Sequence, residues 1–393
     1  MIIEPKVRGF ICTTAHPEGC RQNVRRQIDY VKARPKTEGP KRVLVIGAST
    51  GYGLASRIAA AYSSDAATIG IIFDKPASGS RTASAGWYNT AAFEQFAHRD
   101  GLYAKTLNGD AFSAEMKAQT VELIKQDLGQ VDLVVYSLAA PRRTMPNGTV
   151  VSSVLKTVGE PYSNKTIDLR SRQLSEITIE PASGEEIEDT IKVMGGGDWL
   201  DWMTLLHREG VLAPQAVTVA YSYIGPVLTH PMYLDGSIGQ AKRDLYETAK
   251  RITAGLPGVR GYISVNKALV TQSSAAIPIV PLYISLLYKV MKQKGLHEGC
   301  IEQMWRLLHD KLYSASPVLD PDGQLRLDDL EMLPEVQQEI ERMWGTLDER
   351  GVEQLADIDG YWEDFYRMFG FAIPGVDYTA DCDPAVEIES LAQ

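Results

Sequence analysis

RVLVIGASTGYGLASRIAAAYSSDAATIGIIFDKP, residues 42–76, decides how this chain is read. Val43 to Ile46 is a short, fully apolar run, as a strand covered on both faces requires. Gly47, Gly51 and Gly53 follow it, and beyond them Leu54, Ala55, Ile58, Ala59 and Tyr62 recur at helical spacing. A second buried strand is expected at Ile69 to Phe73. Strand, turn, helix and strand within about 30 residues make a parallel pair joined by a crossover helix. Glycine at such a turn admits backbone angles and close approach that a Cβ would block. The helix amino terminus then offers unpaired N–H groups and a partial positive charge, which suits the pyrophosphate of a dinucleotide.

Working outward, LYAKTLNGD (102–110) reads as a third strand. Residues 113–128 read as a helix with Ser113 as N-cap, Val121, Ile124 and Leu128 on one face, and Gly129 as its stop. VDLVVYSLAA (131–140), AVTVAYSYIG (216–225) and GYISVNKALVT (261–271) supply further strands. Alternating strands and helices mean an α/β fold, a doubly wound parallel sheet of Rossmann type, here with helical and small β-hairpin embellishments. An insertion at about 142–212 separates the fourth and fifth strands. In it, Ile167 and Leu169, then Ile177 and Ile179, sit between polar neighbours as in a half-exposed strand pair. Asp198 to Gly210 reads as a helix burying Trp199, Trp202, Met203 and Leu206. The final third is mostly helical, and no linker or repeat interrupts 1–393, so one elaborated domain is expected.

Composition narrows the function. Of 393 residues, 44% are hydrophobic and 23% charged, ordinary for a soluble globular protein. The net charge of -10, with lysine and arginine dispersed, argues against a nucleic-acid surface, which needs clustered cations. Cys12, Cys20, Cys300 and Cys382 are too sparse for a disulfide framework and suit a reducing cytoplasm. The pairs His16/Cys20 and His297/Cys300 have metal-compatible spacing but lack a second close pair, so no metal is expected. The amino terminus lacks a signal-peptide core. AAIPIVPLYISLLY (275–288) carries two prolines and falls short of the roughly 20 residues of a spanning helix, so no membrane insertion is expected.

Asp74 ends the second strand about 20 residues beyond the turn, where a carboxylate accepts hydrogen bonds from adenosine ribose hydroxyls and repels a 2′-phosphate. That favours NADH over NADPH, with Lys75 and Arg81 close enough to soften the preference. Asp110 and Ala111 in GDA, and Leu138 and Ala139 in SLAAP, follow strands on the same sheet edge, beside adenine and ribose respectively.

The spacing G-x-x-x-G-x-G is that of short-chain dehydrogenases, which place a tyrosine and a lysine over the nicotinamide. The stretch 223–245 supplies Tyr223, Tyr233 and Lys242, but no tyrosine with a lysine four residues later. Tyr233 and Lys242 on one helix would face opposite sides, about 13 Å apart along the axis. A loop at Tyr233, with a helix from near Ser237 carrying Lys242 on its second turn, removes the conflict.

The Tyr-x8-Lys pair, GASTGYGLASR, GDAFS, YSLAAPRR and NKALVTQSSAAIP resemble the FabV-type enoyl-acyl carrier protein reductases and the related trans-2-enoyl-CoA reductases. The resemblance runs end to end, including MIIEPKVRGFICTTAHPEGC and IEQMWRLL. It implies NADH-dependent reduction of the 2,3 double bond of an enoyl thioester in fatty-acid elongation. It further implies Tyr233 as proton donor, Tyr223 at the thioester carbonyl, and Lys242 on the cofactor. Cofactor contacts would come from Gly47, Ala48, Ser49, Thr50, Gly51, Tyr52, Phe73, Asp74, Asp110, Ala111, Leu138, Ala139, Lys242 and the segment Ala268, Leu269, Val270 and Thr271. The alternatives are a carbonyl reductase, which the absent Tyr-x3-Lys argues against, and an NADH-binding redox sensor without chemistry. The acyl carrier, acyl carrier protein or CoA, stays open. Arg142, Arg143, Lys289 and Lys292 are candidates for a basic docking patch, set against ordinary solvated charge. A monomer is expected. SSAAIPIVPLYISLLYKVM (273–291) is expected to wall the acyl pocket, with a helix from about Leu282 because Pro278 and Pro281 precede it.

Overall fold

The computed structural model describes residues 1–9, 11–272, 274, 277–348 and 351–392. The chain opens with β1 (Val7–Arg8), β2 (Ile11–Cys12) and α1 (Pro17–Lys32). Pro17 starts α1, His16 Nδ1 accepts the Gly19 N–H at 3.1 Å, and Cys20, Val24, Ile28 and Val31 form its buried stripe. Next come β3 (Arg42–Ile46), α2 (Gly51–Ser64), β4 (Ala67–Ile72), α3 (Ala85–Arg99), β5 (Ala104–Asn108), α4 (Ala114–Leu123) and β6 (Val131–Tyr136). Ser113 caps α4 by accepting the Met116 N–H at 3.1 Å, and α4 runs into a π-helical turn, Ile124–Leu128. Gly129, at φ 71°, ends it.

The insertion holds two hairpins, β7 (Arg142–Thr144) with β8 (Val150–Ser152) and β9 (Tyr162–Asp168) with β10 (Gln173–Ile179), then α5 (Gly184–Met194) and α6 (Gly197–Arg208). Ile167 stands opposite Leu174 in the second hairpin, while α6 buries Trp199, Trp202, Met203 and Leu206. The chain continues through β11 (Leu212–Ser222), α7 (Ser237–Gly255), β12 (Arg260–Val265), α8 (Val280–Gln293), α9 (Cys300–Arg306), β13 (Leu325–Arg326), α10 (Pro334–Thr346), α11 (Val352–Leu355) and α12 (Ile358–Arg367). α8 begins two residues earlier than expected. Pro281 sits within its first turn, where a missing N–H costs nothing.

Seven parallel strands form the sheet in the order β5-β4-β3-β6-β11-β12-β13. Val45 and Leu133 face one core with α1, α2, α3 and the C-terminal helices; Leu44 and Val134 face another with α4, α6 and α7. Both faces are covered, which is why the strands read as unbroken apolar runs. Strand order reverses between β3 and β6, whose ends Ile46 and Tyr136 lie opposite each other. A crevice opens beyond such a reversal, at the carboxyl ends of the strands. Among the described residues, no helix is long and apolar enough to cross a membrane.

Arg143 is no surface cation. It is buried, with Nη2 3.3 Å from Asp198 Oδ1, which also receives Lys117 Nζ at 2.6 Å. Tyr136 donates to the other oxygen at 3.1 Å, so this carboxylate, raised by burial and lowered again by its cations, ties the insertion to the sheet. Lys292 pairs with Asp357 at 2.7 Å, leaving Arg142 exposed and Lys289 half-buried from the expected patch.

Candidate active site

The glycine turn packs backbone on backbone. Gly47 has φ 86°, and a Cβ there would stand 2.4 Å from the Ser137 carbonyl oxygen; a Cβ on Gly53 would stand 1.8 Å from that of Gly47. Thr50, at the N-cap of α2, makes no side-chain cap bond, so the first N–H groups of α2 open into a cavity of about 460 Å³. Of the expected cofactor residues, Gly47, Ser49, Thr50, Gly51, Tyr52, Phe73, Asp74, Asp110, Ala111, Leu138, Ala139, Lys242, Ala268, Leu269 and Thr271 line it. Ala48 and Val270 do not. Ala48 is fully buried and spends its N–H on the Ile71 carbonyl at 2.9 Å, while Val270 turns inward and donates its N–H to the Tyr288 hydroxyl at 3.2 Å.

Asp74 is held from three sides. Its N–H donates to Asn108 Oδ1 at 2.9 Å, Ser84 Oγ donates to its Oδ1 at 2.7 Å, and its carboxylate lies over the first turn of α3, where a Cβ on Gly86 would come within 2.4 Å. Asp74 lines the cavity rim with Phe73, which is 81% exposed, and its Oδ2 has no hydrogen-bond partner among the described residues. Asp110 Oδ1 accepts the Phe112 N–H at 2.9 Å, an Asx turn that shapes the next stretch of rim.

At the other end Tyr223, Tyr233 and Lys242 converge. Tyr233 lies in the turn before α7, and Lys242 on the second turn of that helix. The two tyrosine rings meet edge to face at 5.1 Å. Lys242 Nζ donates to the Tyr221 carbonyl at 3.0 Å, and burial lowers its ammonium to about 8. Burial raises both phenols, Tyr223 further through the Glu331 carboxylate that its hydroxyl meets at 3.1 Å. Ile277, Val280 and Ile284 line the same cavity; Ser273, Ala275 and Ala276 of the expected wall lie outside the described residues.

The chain matches three family descriptions: the NAD(P)H binding domain of trans-2-enoyl-CoA reductase over residues 2–79, the trans-2-enoyl-CoA reductase catalytic region over 81–313, and the enoyl reductase FAD binding domain over 319–382. A trans-2-enoyl-CoA reductase (NADH) of Ruminiclostridium cellulolyticum is 56% identical over 394 residues, covering 100% of both chains. This chain belongs to the trans-2-enoyl-CoA reductase family. An enoyl-acyl-carrier-protein reductase (NADH) of Flavobacterium johnsoniae is likewise 56% identical over 395 residues, again covering 100% of both. The crystal structure of the Clostridium acetobutulicum trans-2-enoyl-CoA reductase in complex with NADH matches with a TM-score of 0.96 at 43% identity, covering 99% of this chain and 100% of that one.

The family's third region carries a flavin in its description, and the residues here do not fit one. Trp344, Tyr361, Phe365, Phe369 and Phe371 turn inward and pack into the core, and no described residue of 319–382 lines the 460 Å³ cavity. His16 is spent as the cap of α1, and His297 packs edge-on against Tyr288 at 4.4 Å, held neutral by burial that lowers it to about 3. Among the described residues, no group of three or more histidine, cysteine, aspartate and glutamate side chains is placed to hold a metal ion.

Lys267 and Tyr52, from the NKALVT and GASTGYG stretches, tie the cavity walls together, while Glu331 carries no motif. Lys267 is buried, donates to the Ala268 carbonyl at 2.9 Å, and sits with its ammonium 5.0 Å from the Tyr288 ring centroid. Burial lowers it to about 8 against the pull of Glu331. Tyr52 donates to the Lys267 carbonyl at 2.8 Å, linking the glycine turn to the loop after β12. Glu331 comes from a stretch of ordinary-looking acids 108 residues beyond Tyr223, and no sequence spacing points to it.

Proposed function

We propose that this chain reduces the 2,3 double bond of trans-2-enoyl thioesters with NADH, the closing step of a fatty-acid elongation round. The observation that carries this reading is the convergence of Tyr223, Tyr233 and Lys242 in the cavity that begins at the glycine turn. NADH fits that turn, since the backbone-on-backbone packing that Gly47 and Gly53 allow brings the amino terminus of α2 to the cavity. When bound, NADH supplies a hydride to the substrate β-carbon. Negative charge then gathers on the thioester oxygen, and the Tyr233 hydroxyl, with no protein acceptor among the described residues, stabilises it and gives up its proton. Lys242, on the second turn of α7 with its ammonium beside the Tyr221 carbonyl, would hold the ribose hydroxyls. Ile277, Val280 and Ile284 offer dry surface for the acyl chain.

The carrier is acyl carrier protein or CoA. Interleaving of the sheet strands supports one elaborated domain over 1–393, and the four free cysteines support a cytoplasmic protein. Loss of NADH absorbance on adding crotonyl-CoA separates this enzyme from an NADH-binding sensor. Tyr233→Phe should keep the fold and NADH binding but lose at least about two orders of magnitude in kcat, the scale for a lost oxyanion donor. A variant near wild-type rate would reject Tyr233 as donor.

A further inference from the structure

Glu331 is fully buried in the loop between β13 and α10 and does not line the cavity. Its carboxylate nonetheless gathers a donor from three separate walls of the site. The Tyr223 hydroxyl donates to Oε1 at 3.1 Å, the Tyr283 hydroxyl donates to the same oxygen at 2.7 Å, and the Ala268 N–H donates to Oε2 at 2.7 Å. Gln337 fixes the arrangement from behind, donating to the Tyr283 oxygen at 3.2 Å and to the Glu331 carbonyl at 2.7 Å. An ionised carboxylate is acceptor-only, and every group aimed at this one is a donor. Burial raises the Glu331 carboxyl, and the Lys267 charge and the bonds from Tyr283 and Ala268 offset only part of that rise.

The consequence falls on Tyr223. A phenol carries one hydrogen, and while Tyr223 points it at Glu331 there is none left for the cavity. Tyr233, packed edge-on beside it, has its hydroxyl hydrogen uncommitted among the described residues. Two neighbouring tyrosines of similar burial are thereby made chemically unequal.

We infer that Glu331 is a positioning residue: by accepting the only hydroxyl hydrogen of Tyr223, it reserves proton donation for Tyr233 and leaves Tyr223 to meet the acyl group through its ring. This rests on the proposed role of Tyr233, and the test separates the two. Glu331→Gln replaces one acceptor oxygen by an NH₂ donor. With the amide oxygen kept on the Ala268 N–H, the NH₂ faces the tyrosines and frees the Tyr223 hydrogen to turn into the cavity. Hydride still adds to the β-carbon, the π pair still moves to the thioester oxygen, and the balancing proton now comes from Tyr223.

The measurement is kcat with NADH and crotonyl-CoA, on variants whose folding is checked by thermal melting and NADH binding. With Glu331 intact, Tyr233→Phe should cost at least about 100-fold; in the Glu331→Gln background the same change should cost less than about 10-fold. Adding Tyr223→Phe there should remove that residual rate. Equal losses in both backgrounds overturn the inference and leave Tyr233 as donor, whereas no loss with Glu331 intact overturns the role of Tyr233 itself. Should Glu331→Gln fail to fold, the double variant Tyr223→Phe/Tyr233→Phe decides. With Glu331 present, the second substitution should lower kcat by less than about threefold beyond Tyr233→Phe alone, and a further drop above about tenfold overturns the inference.

Discussion

Replacing Asp74 by serine should turn a site selective for NADH into one that tolerates NADPH, and the geometry sets the size of the change. Asp74 lines the cavity rim and is held by Ser84 at 2.7 Å and Asn108 at 2.9 Å. For a 2′-phosphate taken at about 5 Å from this carboxylate, an effective dielectric of about 20–40 makes each unit of charge cost about 2–3 kcal/mol. Asp74→Ser removes that repulsion. It also removes a hydrogen bond from ribose to a charged acceptor, worth about 1.5–3 kcal/mol to NADH. Together these raise the ratio of kcat/KM for NADPH over NADH by at least about 3.5 kcal/mol, or about 300-fold at 1.4 kcal/mol per decade. The same carboxylate lies over the first turn of α3, so its loss should cost about 0.3–1 kcal/mol of stability and lower Tm by no more than about 2 °C. Steady-state kinetics with both cofactors, on protein whose melting has been checked, give the answer. A wild type that uses NADPH as well as NADH, or a ratio that moves less than about tenfold in the variant, refutes the reasoning.

Ile284→Trp narrows the cavity where α8 lines it, so kcat/KM should fall far more for dodecenoyl than for crotonyl thioesters, because each excluded methylene forfeits about 0.8 kcal/mol. A uniform loss that tracks Tm would show that Ile284 only packs the core. Lys242, lowered to about 8 by burial, is a cation below that pH and neutral above it, so kcat/KM for NADH should fall as pH rises through about 8. Lys242→Met should bind NADH poorly and show no such step, and a wild-type profile flat from about pH 7 to about 9.5 would exclude the role.

The nucleotide half of the fold is legible because its signals are local. Val43 to Ile46 is an unbroken apolar run, and the turn after it is written in three glycines, two of which leave no room for any other residue. The stripe Cys20, Val24, Ile28 and Val31 likewise writes α1 into the sequence. α3 is harder to read. Trp87, Tyr88, Ala91, Phe93 and Phe96 are buried around most of its circumference, which erases the polar face that marks a surface helix. Asp74, Tyr233 and Lys242 can be found from their places after a strand, in a loop and on a helix. Glu331 cannot, since its partners Tyr223, Ala268 and Tyr283 are assembled by tertiary packing alone. Arg143 misleads for the opposite reason: its buried partner Asp198 lies 55 residues away, and only the fold shows that its charge is spent.

The order of the seven strands also governs how relatives could be recombined. β3 and β4 come from the matched region 2–79, β5, β6, β11 and β12 from 81–313, and β13 from 319–382. A crossover near residue 80 would wedge two inner strands of one parent between outer neighbours of the other. Val43 would meet a foreign Leu133, Ile71 a foreign Leu107, and the Gly47 turn a foreign Ser137 carbonyl. The nucleotide-holding segment is thus no detachable cassette: it shares its hydrogen-bonded neighbours with the catalytic region on both sides.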